Sequence, residues 1–136
     1  MLSSSLKKLV ARNAGALARL AYDNDANKAT IADAGGIPPL VALVHDGTEI
    51  QKTQAALALM RLAAEDTNAV AIAAAGGIPP LVALARDGTE KQKEHATGAL
   101  GNLTANVNNQ VAIADASTAA GRKGHGARFS QTCLLL

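Results

Sequence analysis

An internal repeat is the feature that most constrains this chain. Residues 35–43, Gly-Gly-Ile-Pro-Pro-Leu-Val-Ala-Leu, recur unchanged as residues 76–84, a period of 41 residues. Asp-Gly-Thr-Glu follows both copies, at residues 46–49 and 87–90. A fixed period of this length is typical of proteins built from stacked supersecondary units, each of which buries its apolar face only against its neighbours. The chain is therefore expected to form a stack of units rather than one globular core.

Each unit is predicted to contain three helices. A short first helix ends at residues 35–36, because glycine adopts the left-handed conformation that closes a helix. Pro38 suits the first turn of the second helix, which is apolar on nearly all sides and should be buried. Thr48 and Gln51 have the spacing of a capping box and open a longer third helix. The same spacing recurs at Thr89 and Gln92.

The third helices carry the predicted core face. Apolar residues recur at helical spacing on both of them: Ala55, Leu59 and Leu62, then Ala96, Leu100 and Leu103. Apolar residues make up 49% of the chain, yet Tyr22 and Phe129 are its only aromatic residues. This composition favours thin layers packed by small side chains, and the fold class predicted is all-α.

Several protein classes are not favoured by the sequence. A basic, Ser-rich N-terminal stretch resembles a mitochondrial presequence, but residues 12–20 align with residues 54–62 at an offset of 42 and so belong to the repeat. No apolar run reaches the roughly 18 residues of a membrane span. A net charge of +2 is too small to indicate nucleic-acid binding.

The single cysteine, Cys133, cannot form an internal disulfide, which favours a reducing compartment. We expect a cytoplasmic location, with the nucleus or a membrane surface as alternatives.

The repeat closely resembles the armadillo repeat. The resemblance is carried by the period, by A-G-G-I-P-P-L-V-A-L between the first and second helices, and by A-L-x-N-L at residues 99–103. It implies an armadillo-type right-handed superhelical solenoid with about two full three-helix repeats and partial repeats on either side. The predicted segments are an N-terminal extension (1–6), a third helix (7–22), two repeats (25–65 and 67–106), a first helix (108–116) and a disordered basic tail (117–136). Together, residues 7–116 form the predicted array.

The resemblance also implies a binding site. In armadillo proteins the third helices line a concave groove for extended peptides, and an Asn near the end of each helix holds the peptide backbone. The matching residues, here called the clamp positions, are Arg19, Arg61 and Asn102. Only Asn102 keeps an amide that both donates and accepts hydrogen bonds. Nuclear-import members place Trp four residues earlier, where this chain has Gly15, Leu57 and Gly98, so basic nuclear-localisation peptides are not the expected ligands.

The same helix faces predict a mostly basic groove. Its residues are Lys8, Arg12, Arg19, Gln54, Arg61, Lys91, His95 and Asn102. Because Arg pairs bidentately with carboxylates, we expect a scaffold or adaptor that binds an acidic protein or peptide segment and no nucleic acid. The alternative interpretation is a set of solvated surface charges, each exposed pair contributing only about 0–1 kcal/mol.

Two other functions stay open. Residues 133–136, Cys-Leu-Leu-Leu, have the form of a geranylgeranylation signal at Cys133, with Arg122, Lys123 and Arg128 as a second membrane signal. The chain would then be a membrane-tethered adaptor, although an unrelated C-terminus explains the pattern equally well. A more distant alternative is a fragment of a larger armadillo-containing enzyme such as a ubiquitin ligase.

No catalytic residue, metal site or cofactor is predicted. His45, His95 and His125 lack metal-ligand spacing, and no Ser-His-Asp set or paired-carboxylate motif occurs. An armadillo stack without polar caps exposes apolar side chains at its ends, so self-association through the ends is a further expectation.

Overall fold

The structure is a computed structural model that describes the backbone of residues 2–106 and the side chains of residues 8–10 and 12–106. Seven helices and no strands occur in this part of the chain. The helices are α1 (Leu2–Ala21), α2 (Asp25–Asp33), α3 (Ile37–Asp46), α4 (Glu49–Leu62), α5 (Asp66–Ala74), α6 (Ile78–Asp87) and α7 (Glu90–Thr104). The predicted first helix at 108–116, the predicted tail at 117–136 and Cys133 lie outside the described residues.

Local signals place the helix ends as predicted. Gly35 and Gly76 have φ angles of 85° and 79°, the left-handed conformation that turns the chain out of the first helix of each unit. Prolines occupy the first turn of α3 and α6. Both predicted capping boxes form, at the N-termini of α4 and α7. The prediction of three helices per unit is therefore confirmed for both units.

The third helices form the centre of the stack. Helix α4 packs between α1 and α7, while α3 covers α4 and α6 covers α7. All six residues of the predicted core face are fully buried. Fully burying a leucine contributes about 1.5–3 kcal/mol, so these repeated contacts between third helices hold neighbouring units together.

Helix α1 differs from the predicted third helix at 7–22. It begins at Leu2 and contains a break at Asn13, where φ is −121° and ψ is 17°. The Asn13 side-chain amide donates to the backbone oxygen of Leu9 at 2.8 Å, a local bond that competes with regular helix geometry. Lys8 and Arg12 precede this break and Arg19 follows it, so these three cations do not share one unbroken helix.

No single helix in residues 2–106 is long and apolar enough to cross a membrane. Helices α5 and α6 together reach the required length and composition, but they are bent by 90° at the break between them.

Candidate functional site

A cavity of about 940 Å³ lies where the C-terminal ends of α1, α4 and α7 meet the start of α2. Two of the three clamp positions, Arg61 and Asn102, line it. Residues from the neighbouring elements complete the lining, among them Tyr22, Asp23, Lys28, Met60, Gly98 and Thr104. This space is called the third-helix cavity below.

Arg61 is held in place from two sides. One guanidinium nitrogen, Nη1, donates to the backbone oxygen of Ala18 at 2.7 Å. The guanidinium carbon lies 4.8 Å from the centre of the Tyr22 ring, within cation–π range. A guanidinium carries five N–H donors, so the bond to Ala18 fixes the group and uses only one of them. Arg61 is thus a pre-oriented donor at the cavity wall.

Asn102 makes the equivalent contact one unit further along. Its Nδ2 donates to the backbone oxygen of Met60 at 2.8 Å. Ala18 and Met60 each precede the clamp residue of their own third helix, so the two bonds follow the same rule. Each clamp side chain reaches back to the preceding third helix. For Asn102 this bond uses one of two amide donors and leaves the amide oxygen as an acceptor at the cavity wall.

Lys91 and His95 continue the polar face along α7. The pKa of His95 lies below its usual value because burial disfavours the charged imidazolium; Glu94 opposes this effect, whereas Lys91 and Arg61 add to it by repulsion. That coupling places Arg61 and Lys91 within electrostatic reach of His95. Helical spacing places Lys91, His95 and Asn102 on one face of α7, and Arg61 of α4 lies close enough to this face to affect His95.

Gln54 has a different environment. It packs against Gly15 of α1, where an added Cβ would lie only 2.7 Å from Nε2 of Gln54. The remaining predicted groove residues, Lys8, Arg12 and Arg19, are exposed and do not line the third-helix cavity. Their participation in a groove stays a prediction.

Nine of the eleven lining residues were not among the predicted groove residues, and the sequence contains a signal for two of them, Tyr22 and Lys28. Tyr22, like Ala64 and Ala105, stands three residues after a clamp position, and such residues share a helix face. Lys28 replaces the alanine found one period later at Ala69. A lysine at a position that is apolar in the next unit departs from the repeat pattern, and such departures mark candidate functional residues.

Gly98 occupies the position at which nuclear-import members have Trp. An added Cβ there would lie 2.5 Å from Sδ of Met60, so the methionine fills the adjacent space. A larger side chain would enter only if Met60 moved.

Comparison with known protein families identifies the fold. Residues 24–64 and residues 66–105 each match the Armadillo/beta-catenin-like repeat. The chain belongs to the armadillo repeat family. No curated protein sequence matches it.

Solved structures agree with this armadillo fold over nearly the whole chain. An engineered protein from the Northeast Structural Genomics Consortium is 26% identical, with a TM-score of 0.78, and the match covers 96% of this chain and 60% of that one. A second engineered protein gives 26% identity and a TM-score of 0.77 over 96% of this chain and 36% of that one. A designed armadillo repeat protein in complex with the peptide (KR)4 is 22% identical, with a TM-score of 0.61 over 99% of this chain and 64% of that one. This chain is thus shorter than each of these proteins.

Proposed function

We propose that this armadillo chain is an interaction scaffold that binds an extended acidic peptide across the ends of its third helices. The observation that carries the proposal is the pair of equivalent bonds from Arg61 to Ala18 and from Asn102 to Met60. They hold two polar side chains in register, one unit apart, on the wall of one cavity. An extended peptide presents backbone donors and acceptors along its whole length, so regularly spaced polar side chains are suited to hold it.

The charges around the cavity favour an acidic ligand. Arg61 and Lys28 line it and Lys91 lies on the adjoining face of α7, whereas Asp23 is the acid of the lining. Arginine donates hydrogen bonds and accepts none, so a carboxylate satisfies it and a cationic side chain is repelled. The designed armadillo protein is in complex with a basic peptide, (KR)4. The charge of that peptide is opposite to the charge of the ligand proposed for this chain, so (KR)4 is a suitable comparison peptide.

Fluorescence anisotropy with three labelled octapeptides tests this function. The peptides are (ES)4, (GS)4 and (KR)4, each titrated with the chain at constant ionic strength. We expect saturable binding of (ES)4, weaker binding of (GS)4 and no saturable binding of (KR)4. Equal binding of the acidic and basic peptides would contradict the proposed preference, and absence of binding to all three would contradict peptide binding on this face.

Charge reversal locates the binding surface. Arg61→Glu should weaken (ES)4 binding by at least about tenfold, because a charge-assisted bond is replaced by repulsion. Arg86→Glu, on α6 and away from the cavity lining, makes the same change in net charge and serves as the matched control. Circular dichroism confirms that both variants are folded. An equal loss in both variants would mean that long-range attraction, and not the third-helix cavity, governs binding.

A further inference from the structure

We propose that the third-helix cavity contains a subsite for one oxyanion between Lys28 and Arg61, and that a carboxylate or phosphate group of the ligand occupies it. As part of a peptide complex the subsite rests on the proposed function, but its affinity for a free anion does not. The shared chemistry is a negatively charged group with several oxygen acceptors. Side-chain carboxylates and phosphorylated hydroxyl groups are its two sources.

Lys28 is the first observation that points to this subsite. It is only 8% exposed and is the one charged residue among the buried residues in the described part of the chain. Lysine is seldom buried at this level unless an opposite charge accompanies it. The next unit has a fully buried alanine, Ala69, at the equivalent position. Stacking of the units therefore does not require a lysine at this place.

The ion pair that Lys28 makes within the chain is a weak one. Its Nζ lies 3.3 Å from Oδ1 of Asp25, whose side chain is 77% exposed. A carboxylate so accessible to water is well solvated, and exposed partners of this kind contribute little. An ammonium group has three N–H donors, so an anion in the cavity can bind Lys28 without displacing Asp25.

Arg61 supplies the second half of the subsite. Its bond to Ala18 and its contact with Tyr22 orient the guanidinium before any ligand arrives, so less side-chain entropy is lost on binding. Guanidinium groups bind carboxylate and phosphate oxygens in pairs. Because Lys28 and Arg61 line the same cavity from different helices, one anion placed between them would join α2 to α4.

Asp23 limits the affinity of the subsite and offers a way to measure it. It also lines the cavity, and its φ angle of 49° is in the left-handed region. Asparagine tolerates this backbone conformation as well as aspartate does, so Asp23→Asn removes the negative charge without new strain. The variant should therefore bind anions more tightly than the natural chain.

Nuclear magnetic resonance titrations with inorganic phosphate and with acetate test the subsite directly. Chloride keeps the ionic strength constant, and the Nε–H signal of Arg61 and the Cε–H signals of Lys28 are followed. We expect saturable shifts of both residues. Lys28→Ala gives this position the residue found at Ala69. It should lower the anion affinity measured at Arg61 by about tenfold, because one charge-assisted bond is lost. Asp23→Asn should strengthen binding by about two- to threefold, because one repelling charge is removed.

Lys52→Ala is the matched control, since it removes the same charge from a residue outside the cavity lining. It should leave the anion affinity unchanged. Shifts that do not saturate, or a Lys52→Ala effect as large as that of Lys28→Ala, would overturn the subsite. Tighter binding of phosphate than of acetate at equal charge would assign the site to phosphorylated ligands, and similar binding would assign it to carboxylates.

The peptide experiment and the anion experiment can each reject one proposal without rejecting the other. Anion binding at Lys28 without any binding of (ES)4 would keep the subsite and reject the peptide-scaffold proposal. Binding of (ES)4 that is unchanged in Lys28→Ala, together with no saturable anion shifts, would keep the scaffold and reject the subsite. Peptide binding that is weakened about tenfold by Lys28→Ala and unaffected by Lys52→Ala would support both.

Discussion

The two armadillo units, residues 24–64 and 66–105, have the same frame, meaning the residues that end, cap and pack the helices. They have different groove residues. Both have a left-handed glycine, prolines at the start of the second helix, a capping box and fully buried leucines on the third helix. They differ at two positions that line the cavity in at least one unit. Arg61 corresponds to Asn102, and both line it; Lys28 lines it and corresponds to Ala69, which does not. Stacking imposes the same demands on each unit, so frame residues repeat. Residues that face a ligand are free of those demands, which makes the differences between units the better guide to function.

The largest difference in the free energy of unfolding is expected between two variants at equivalent positions, one inside the stack and one at its end. Leu62 is fully buried, whereas its equivalent in α1, Leu20, is 53% exposed. Leu62→Ala should lower the free energy of unfolding by about 2–5 kcal/mol, the usual cost of a core cavity. Leu20→Ala should cost less than about 1 kcal/mol, because little buried surface is lost. Urea denaturation followed by circular dichroism measures both.

Leu103→Ala, at the fully buried equivalent in α7, is the control for this comparison. It should resemble Leu62→Ala. If Leu20→Ala were as costly as either, Leu20 would be covered in solution, and the predicted self-association through the ends of the stack would be the first explanation to examine by sedimentation.

A smaller effect is expected at the glycine that ends the first helix of each unit. Gly76 has a φ of 79°, and an added Cβ would meet nothing within 4 Å. Gly76→Ala should therefore cost about 1–2 kcal/mol through backbone strain alone. Gly76→Asn should cost less, since asparagine enters this region more readily. Gly35→Ala should match Gly76→Ala, and a clear difference between them would show that the two turns are not equivalent.

The capping glutamines give the next comparison. Gln51 and Gln92 both complete capping boxes, but Gln92 is only 2% exposed and its Nε2 also donates to the backbone oxygen of Glu49 at 3.1 Å and to its Oε1 at 2.8 Å. These bonds join α7 to the preceding third helix. Gln92→Ala should therefore cost about 1 kcal/mol more than Gln51→Ala in thermal or urea unfolding. Equal costs would mean that the bonds between units add nothing.

The frame could be predicted from the sequence almost completely. Helix-ending glycines, prolines and capping boxes act over a few residues, and the core leucines follow one period, so each carries a local signal. The break at Asn13 was not predicted, because it depends on which carbonyl the side chain of one residue reaches. The start of α1 at Leu2 was not predicted either.

The candidate site could be predicted only in part. The clamp positions follow the repeat, and Arg61 and Asn102 do line one cavity. The bond from Arg61 to Ala18 and the contact with Tyr22 depend on how α1 packs against α4, which the sequence pattern does not specify. Lys28 lies on a first helix, and the predicted groove took its residues only from third helices. Its burial beside Arg61 therefore emerged only from the structure.

The smallest effect concerns the pair of Gln54 and His95, equivalent positions of α4 and α7. Burial lowers the pKa of His95, and the charges around it are Glu94, Lys91 and Arg61. The folded state binds a proton on the His95 imidazole less readily than the unfolded state does. The contribution of His95 to the free energy of unfolding is therefore present above the usual pKa of 6.5 and is lost as the pH falls below that value. Protonation at the same time adds a positive charge beside Arg61. Stability and affinity for (ES)4 should therefore change in opposite directions as the pH falls from 7 to 5.

His95→Gln copies Gln54 and should remove this opposition. Compared with the natural chain, the variant should lose less unfolding free energy between pH 7 and pH 5 and gain less affinity for (ES)4 over the same interval. Because the other ionisable groups are common to both proteins, the difference between their pH profiles isolates His95. A variant whose two profiles overlay those of the natural chain would show that His95 neither titrates in this range nor senses the ligand. The difference between α4 and α7 at this position would then belong to the frame and not to the groove.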